Sequence, residues 1–340
     1  MKKILLFFLL SGSLFAQKIE TEKIKLSKSV KDNKNSVKTF TVIDRRPNKE
    51  IGNVMYHKNQ VNITFENDAE KDIEEWFYGD NKIRGNNDLV LLLENIEISE
   101  DKKEKYSIGK LTFKASTFIK KEDGYHFVYR TDTVATISSR TTPYLAQSLA
   151  KKITIGLTDL LKSSYKSNSW DYAIQETELT NYESLIKNNL ELYKGDELKD
   201  GAYKNFYRFF TQSPESGYDL VTDDKGYVTK AVKGDEKIPL RQMYAYISNG
   251  EAYKITPIGP IRIEKDEKGY FIFAERKELF PVDTTTGVMV GTMAGGLVGG
   301  IIGVVIDVSI KKNRKANNPT LPKVYLDPFT GNYIFDEEIK

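Results

Sequence analysis

Apolar residues run unbroken from Ile4 to Leu10, behind Met1-Lys2-Lys3 and ahead of Ser11-Gly12-Ser13-Leu14-Phe15-Ala16. A charged start, a short apolar core and a small-residue exit are the pattern of a secretory signal over 1–16, cut after Ala16. The core is too short to span a bilayer, which takes about 20 residues. Residues 17–37 are rich in Lys, Ser and Asn and lack periodic apolar positions, so they read as a flexible arm.

From 38 to 165 the period alternates between two and 3.6. Thr39-Phe40-Thr41-Val42-Ile43-Asp44 reads as a strand closed by Arg45-Arg46-Pro47. A helix follows over 67–77, with Asn67 as cap and Ala69, Ile73, Trp76 and Phe77 on one face. The continuous apolar run that opens 89–98 predicts a central strand. The stretches 106–120 and 125–138 predict a hairpin around Glu122-Asp123-Gly124. A helix over 139–164, with Thr142 as cap and Pro143 first, carries Leu145, Leu149, Ile153, Leu157 and Leu161 at helical spacing. The order β-α-β-β-β-α makes an α+β sandwich with its helices on one sheet face.

Residues 170–282 open with helical spacing at Tyr182, Leu185, Ile186 and Leu190, then Gly201-Ala202-Tyr203-Lys204-Asn205-Phe206-Tyr207-Arg208-Phe209-Phe210. Beyond Pro214 the period becomes two through 218–221, 227–232, 242–248, 251–256, 261–265 and 270–274. Asn249-Gly250 between two of these runs is a type I′ hairpin signal, because both central residues need positive φ. The expectation is a small, mostly antiparallel β domain with a helical entry, its aromatics Tyr203, Phe206, Phe209 and Phe210 forming core.

Near the C-terminus, 286–306 is uncharged. At about 1.5 Å per residue it is roughly 31 Å long as a helix, the thickness of a hydrocarbon core. Gly287, Gly291, Gly295, Gly299 and Gly303 recur every fourth residue, with Gly296 and Gly300 beside them. Small-residue ridges let helices approach closely in lipid, where apolar burial gives little. The expectation is a transmembrane helix that packs against another copy through this glycine face, making a homo-oligomer. Lys311, Lys312, Arg314 and Lys315 follow as a stop-transfer cluster, which places the tail within 311–340 in the cytoplasm. One feature points elsewhere: the tail from Val324 to Phe335 reads as a β-hairpin, which could equally fold back onto the soluble body.

Composition narrows the function more than it names one. The 51 Lys and Arg nearly balance 48 Asp and Glu, which argues against a nucleic-acid partner. Cysteine is absent, excluding disulfides, thiolate metal sites and a lipidated cysteine, and fitting a bacterial envelope. His57 and His126 have no second ligand at metal spacing, and His126 is expected to face solvent. No nucleophile elbow or phosphate loop occurs. The carboxylates Glu70, Asp72, Glu74 and Glu75 read as a solvated helix face, and Asp44, Arg45 and Arg46 as a structural tie at a strand end. No catalytic residue, cofactor or metal is expected.

Two resemblances add to this. The opening Phe40-Thr41-Val42-Ile43-Asp44-Arg45-Arg46-Pro47, then Ile51-Gly52, with the element order over 38–165, resembles the small α/β domain of YajG-like bacterial outer-membrane lipoproteins. That implies an envelope domain with no known active site, without the family's lipidated cysteine. The Gly-x-Tyr-x-x-Phe segment at 201–206 looks like the opening of a recurrent β module of bacterial envelope proteins, and the glycine row is similar to their glycine zippers. The expectation is a non-enzymatic, membrane-anchored periplasmic protein, a binding or scaffold component with an envelope protein as partner. The rival expectations are an oligomeric pore or other membrane-active assembly, and an envelope hydrolase with an unrecognised site.

Overall fold

The computed structural model describes residues 19–56, 59–82, 85–195, 197–224, 226–280 and 320–335. The chain is mixed α+β, mostly strands in several sheets with few helices. It opens with β1 (Ile19–Lys23), β2 (Val37–Asp44), β3 (Asn53–Tyr56) and β4 (Asn59–Thr64), followed by helix α1 (Ala69–Asp80). Then come the long strands β5 (Asn87–Lys102), β6 (Ser107–Lys121) and β7 (Gly124–Ser138), helix α2 (Leu145–Ser164) and the short β8 (Ala173–Ile174).

A five-stranded sheet in the order β2-β5-β6-β7-β8 is the centre of the molecule. β2 lies parallel to β5, the crossover running through α1, and the other pairs are antiparallel. Leu89, Leu91 and Leu93 face α1 and α2, packing with Ile73, Phe77, Leu149, Ile153 and Leu157. Val90 and Leu92 face the other way, with Phe118, Phe127, Trp170 and Ile186. The apolar run is continuous because both faces of this strand are buried.

Three local expectations shift. Asp68, not Asn67, caps α1, its side chain accepting from Lys71 N at 2.8 Å. Asn67 instead bonds the Asp72 carboxylate. Helix α2 begins at Leu145 without a side-chain cap, because Thr141 and Thr142 are held in a turn on Ser138 O. The larger change concerns 17–37. The part described, from Ile19, is not a loose arm: β1 pairs in parallel with β4, and Ile24 and Val30 are buried. Asp32, also buried, accepts from the backbone N of Lys34, Ser36 and Val37. Only isolated apolar side chains of this stretch reach the core, so no period emerges from its lysines and glutamates.

The rest covers the second face of the central sheet. It comprises α3 (Tyr182–Asn189), α4 (Glu191–Lys194), β9 (Gly201–Tyr203), α5 (Phe206–Phe210), β10 (Asp219–Thr222), β11 (Val228–Lys233) and β12 (Glu236–Pro239). β13 (Ala245–Ser248), β14 (Glu251–Thr256), β15 (Gly259–Arg262), β16 (Glu264–Lys265) and β17 (Tyr270–Phe273) follow, then α6 (Arg276–Leu279), β18 (Lys323–Leu326) and β19 (Tyr333–Phe335). The small sheets run β10-β11-β12, β15-β14-β13-β9 and β16-β17-β18-β19. At the β13–β14 turn Asn249 and Gly250 both take positive φ, 53° and 73°. The Asp200 carboxylate accepts both of their N–H groups, at 2.8 and 3.0 Å. Tyr203, Phe209 and Phe210 are fully buried and Phe206 packs against the same core. No helix among the described residues is long and apolar enough to cross a membrane.

Candidate functional site: a clasp formed by the C-terminal hairpin

Among the described residues, the most concentrated chemistry lies where the C-terminal hairpin meets the body. β18 pairs with β17 in the register Phe271↔Tyr325, Ile272↔Val324, Phe273↔Lys323, and Ala274 N donates to Pro322 O at 3.2 Å. β19 completes the hairpin, and Phe280, at the end of α6, lies 5.9 Å from the Tyr333 ring and 6.1 Å from that of Phe335. Phe280 and Thr320, the last described residue before 281–319 and the first after it, thus flank one paired β17–β18 ladder. The β-hairpin expected over the tail forms, and it folds back onto the body.

That turn is built around Asp327. Its carboxylate accepts Phe329 N at 3.1 Å and the Thr330 hydroxyl at 2.6 Å, and its carbonyl accepts Gly331 N at 2.7 Å. Gly331 has φ +71°, and a Cβ there would meet Phe206 at 2.6 Å, so the position requires glycine on both counts. Phe329 then stacks parallel to Trp170 at 5.9 Å and edge-on to Phe127 at 5.4 Å.

The same Oδ1 of Asp327 that accepts Phe329 N also takes Arg130 from β7, Nη2 to Oδ1 at 2.9 Å, with both side chains buried. The guanidinium sits over the Phe329 ring at 4.4 Å and reaches Glu183 of α3 at 3.1 Å. Lys114 of β6 bonds Glu183 closely and lies 3.5 Å from Glu94 of β5. Ser116 donates to Glu94 at 2.6 Å and shares a 2.7 Å hydrogen bond with the Tyr182 hydroxyl. Burial pushes the Glu94 carboxyl upward, and Ser116 and Lys114 offset only part of it. Burial acts on Glu183 in the same sense, but Arg130 and Lys114 outweigh it and hold that carboxyl low. Burial likewise opposes the charge on Arg130, and Asp327 and its neighbours overcome it. The arrangement joins three strands, one helix and the hairpin by charge.

No family model matches the chain, and neither the curated proteins nor the solved structures yield a match.

A second buried charge stands apart. Lys254 of β14 is 6% exposed, donates to Ile255 O at 2.8 Å, and lies 4.1 Å from the Tyr244 ring and 5.7 Å from that of Tyr333. No carboxylate pairs with it among the described residues, and burial lowers its pKa to about 7. Tyr333 belongs to β19, so this lysine also lies beneath the hairpin.

The residues singled out by sequence fare differently. Gly287, Gly291, Gly295, Gly296, Gly299, Gly300 and Gly303, and Lys311, Lys312, Arg314 and Lys315, lie outside the described residues, as does His57. His126 does not face solvent: it is 3% exposed, with Nδ1 2.8 Å from Trp170 O and Nε2 2.9 Å from Asp123. A bulge in β7 and the overlying Trp170 bury both faces there, which strand alternation alone does not reveal. Asp44 and Arg46 form the expected tie, a bidentate pair at 2.7 and 2.9 Å. Burial raises the Asp44 carboxyl, but the bonds from Arg46 and Lys49 bring it below the usual range. The α1 carboxylates are more than a solvated face: Glu70 and Glu74 accept the N–H groups of Asp44 and Val42, each at 2.8 Å, and Tyr78 accepts that of Phe40. No cluster of three His, Asp or Glu able to hold a metal occurs among the described residues.

Sequence reasoning missed Arg130 and Asp327. Arg130 did leave a signal, a cation closing the apolar run Tyr125–Tyr129, and so did Asp327, opening the turn Asp-Pro-Phe-Thr-Gly.

Proposed function

We propose that this is an exported, non-enzymatic cell-envelope protein of scaffold or binding type, held at a membrane surface by the apolar glycine-rich stretch 286–306. In this reading the stretch enters and leaves the membrane on the face where the body lies. The observation that carries it is the pairing of β17 with β18 on either side of 281–319.

Distance and charge both favour this arrangement. A single crossing as a helix displaces the chain by roughly 31 Å, to the far side of the hydrocarbon. With β18 paired to β17, the chain must then come back. The returning residues contain Lys311, Lys312, Arg314 and Lys315, each costing about 2.5–3.5 kcal/mol at the bilayer centre, so about 10–14 kcal/mol together. A re-entrant insertion avoids that cost. It leaves the basic cluster at the headgroups of the near leaflet, where each cation gains about 1 kcal/mol from anionic lipid. The glycine rows then serve close packing inside the membrane against a second copy. The basic cluster anchors the body instead of stopping translocation, and the tail stays with the body. The kinship with YajG-like envelope domains is part of the same proposal and rests on the 40–47 motif and the order of elements that follows it.

The chain has no cysteine, so single-cysteine variants test this directly. Asn318→Cys and Lys199→Cys are both expected to react with a membrane-impermeant maleimide added outside intact spheroplasts. Labelling of Asn318→Cys only after permeabilisation would overturn the re-entrant reading. Recovery of the protein in the soluble fraction without detergent would overturn membrane anchoring altogether.

A further inference from the structure

The two margins of the central sheet are treated differently. At β2 the outward N–H groups of Phe40, Val42 and Asp44 are taken by Tyr78, Glu74 and Glu70 of α1. At the other margin β7 pairs with β8 only at Tyr125 and His126, and Trp170 N donates to Phe127 O at 2.7 Å. Past Arg130, the stretch 131–138 pairs only with β6 among the described residues. Ser139 N donates to Ser107 O on β6 at 2.9 Å. In an antiparallel pair the inward and outward residues alternate, so Asp132, Val134, Thr136 and Ser138 turn their N–H and C=O groups away from β6.

Edges of this kind are normally blunted by lysine, proline, a bulge or a covering element. Thr131-Asp132-Thr133-Val134-Ala135-Thr136-Ile137-Ser138 holds no Lys, Pro or Gly, and most of it is β-branched. The side chains of Asp132, Val134 and Thr136 are exposed, Val134 by 51%. It has the composition of a strand that is to be paired.

We propose that this edge pairs with the same edge of a second copy of the chain, antiparallel about a two-fold axis at Val134, joining the two central sheets into one. Outward residues must meet outward residues, and of the registers this allows, the one centred on Val134 sets Asp132 level with the partner's Lys110. Val134 meets the partner's Val134, and Asp132 meets the partner's Thr136. Charge selects this occupant. The two Asp132 side chains fall more than about 13 Å apart along the strands, so they do not repel. Thr136 stands opposite Lys110 in the β6–β7 register, and Lys110 is exposed with no ion pair among the described residues. Each Lys110 thus lies two strand spacings, about 10 Å, from the partner's Asp132 on the same face, within reach of an extended lysine. The symmetry supplies this contact twice, as an isologous interface requires. An unrelated peptide would have to bring its own acid to the same place. The interface is separate from the glycine row and stands or falls without it.

Disulfide trapping of the full-length protein tests the edge without interference from association elsewhere. Val134→Cys places two thiols at the axis with Cα atoms about 5.5 Å apart, inside the disulfide range. Ser99→Cys, exposed on the same face of β5, is the control. Under mild oxidation Val134→Cys is expected to form a covalent dimer at least about tenfold faster than Ser99→Cys, as the Cα distance limit demands. Adding Asp132→Lys should return that rate to the control value. Adding Lys110→Asp to the same chain should restore it, which a merely misfolded variant would not do. Equal rates for the two cysteine variants overturn the proposal. So does a rate indifferent to Asp132→Lys, or trapping of a different protein in place of a second copy.

Discussion

Lys254 shows what a single residue can impose. Its folded pKa of about 7 lies below the ordinary 10.5 because burial between Tyr244 and Tyr333 disfavours the charged form. Between these values the unfolded chain holds a proton that the folded chain does not, so folding releases a proton there. Stability from this group therefore rises with pH from about 7 towards 10.5, and the group adds no slope below 7, where both states are charged. The slope approaches about 1.4 kcal/mol per pH unit in the middle of that window. Lys254→Met should remove the slope and raise the urea midpoint most at pH 7 and below, where the wild type carries the buried charge. Urea titrations at pH 6, 8 and 9.5 check this, and a variant that keeps the wild-type slope contradicts it. The sequence places Lys254 in an alternating strand, where every second residue is expected in solvent. The opposite face is taken by Tyr253 and Ile255, and Tyr244 together with Tyr333 of the returning hairpin covers the lysine's own side. A strand pattern reads one face at a time, and a cover supplied from far along the chain leaves no mark on it.

At the scale of elements, helix α1 was legible from Ala69, Ile73 and Phe77, all of which are buried. Its polar face was not, because the purpose of Glu70, Glu74 and Tyr78 depends on a strand beside them. Helical positions four apart rise about 6 Å, and strand positions two apart rise about 6.6 Å. Side chains at 70, 74 and 78 therefore match the outward N–H groups of 44, 42 and 40 one for one, in reverse order. This closes the β2 edge to further pairing. Glu74→Leu removes the acceptor of Val42 N and is expected to cost about 1–3 kcal/mol, the penalty of leaving such a group unpaired. Glu74→Gln, which keeps a carbonyl acceptor, should recover most of it. Thermal midpoints of the two variants decide this; equal losses would mean that charge, not the acceptor, matters at this position. The β3–β4 hairpin leaves little trace in the sequence for another reason. Its strands are short, and their alternating positions 53–56 and 59–64 are largely Asn, Gln and Tyr.

For the whole molecule, the boundary that the sequence suggests near 165–170 divides elements but not cores. Val90, Phe118 and Phe127 of the central sheet share one cluster with Ile186, Ile272 and Val324. The last strands reach back across almost two hundred positions to Arg130, a contact no local pattern could announce. If the hairpin is held by β17, Arg130 and Trp170 and not by its covalent link, cutting the chain should not release it. A specific protease site introduced between Ala316 and Asn318 makes the cut possible in the otherwise complete, detergent-solubilised protein. The fragment that starts there is expected to stay bound to the body through gel filtration, because the ladder to β17 and the Asp327–Arg130 pair survive the cut. Arg130→Met leaves Asp327 buried without its cation, a loss of about 3–5 kcal/mol for a broken buried pair. That corresponds to a hairpin dissociating roughly 150- to 5,000-fold more readily. Asp327→Asn keeps the turn's acceptors in part but removes the charge, and should fall between the two. A wild-type fragment that separates on cleavage would show that the clasp is held shut by the chain itself. Entry and exit on one membrane face would then no longer follow from the β17–β18 pairing, whatever the lipid affinity of 286–306.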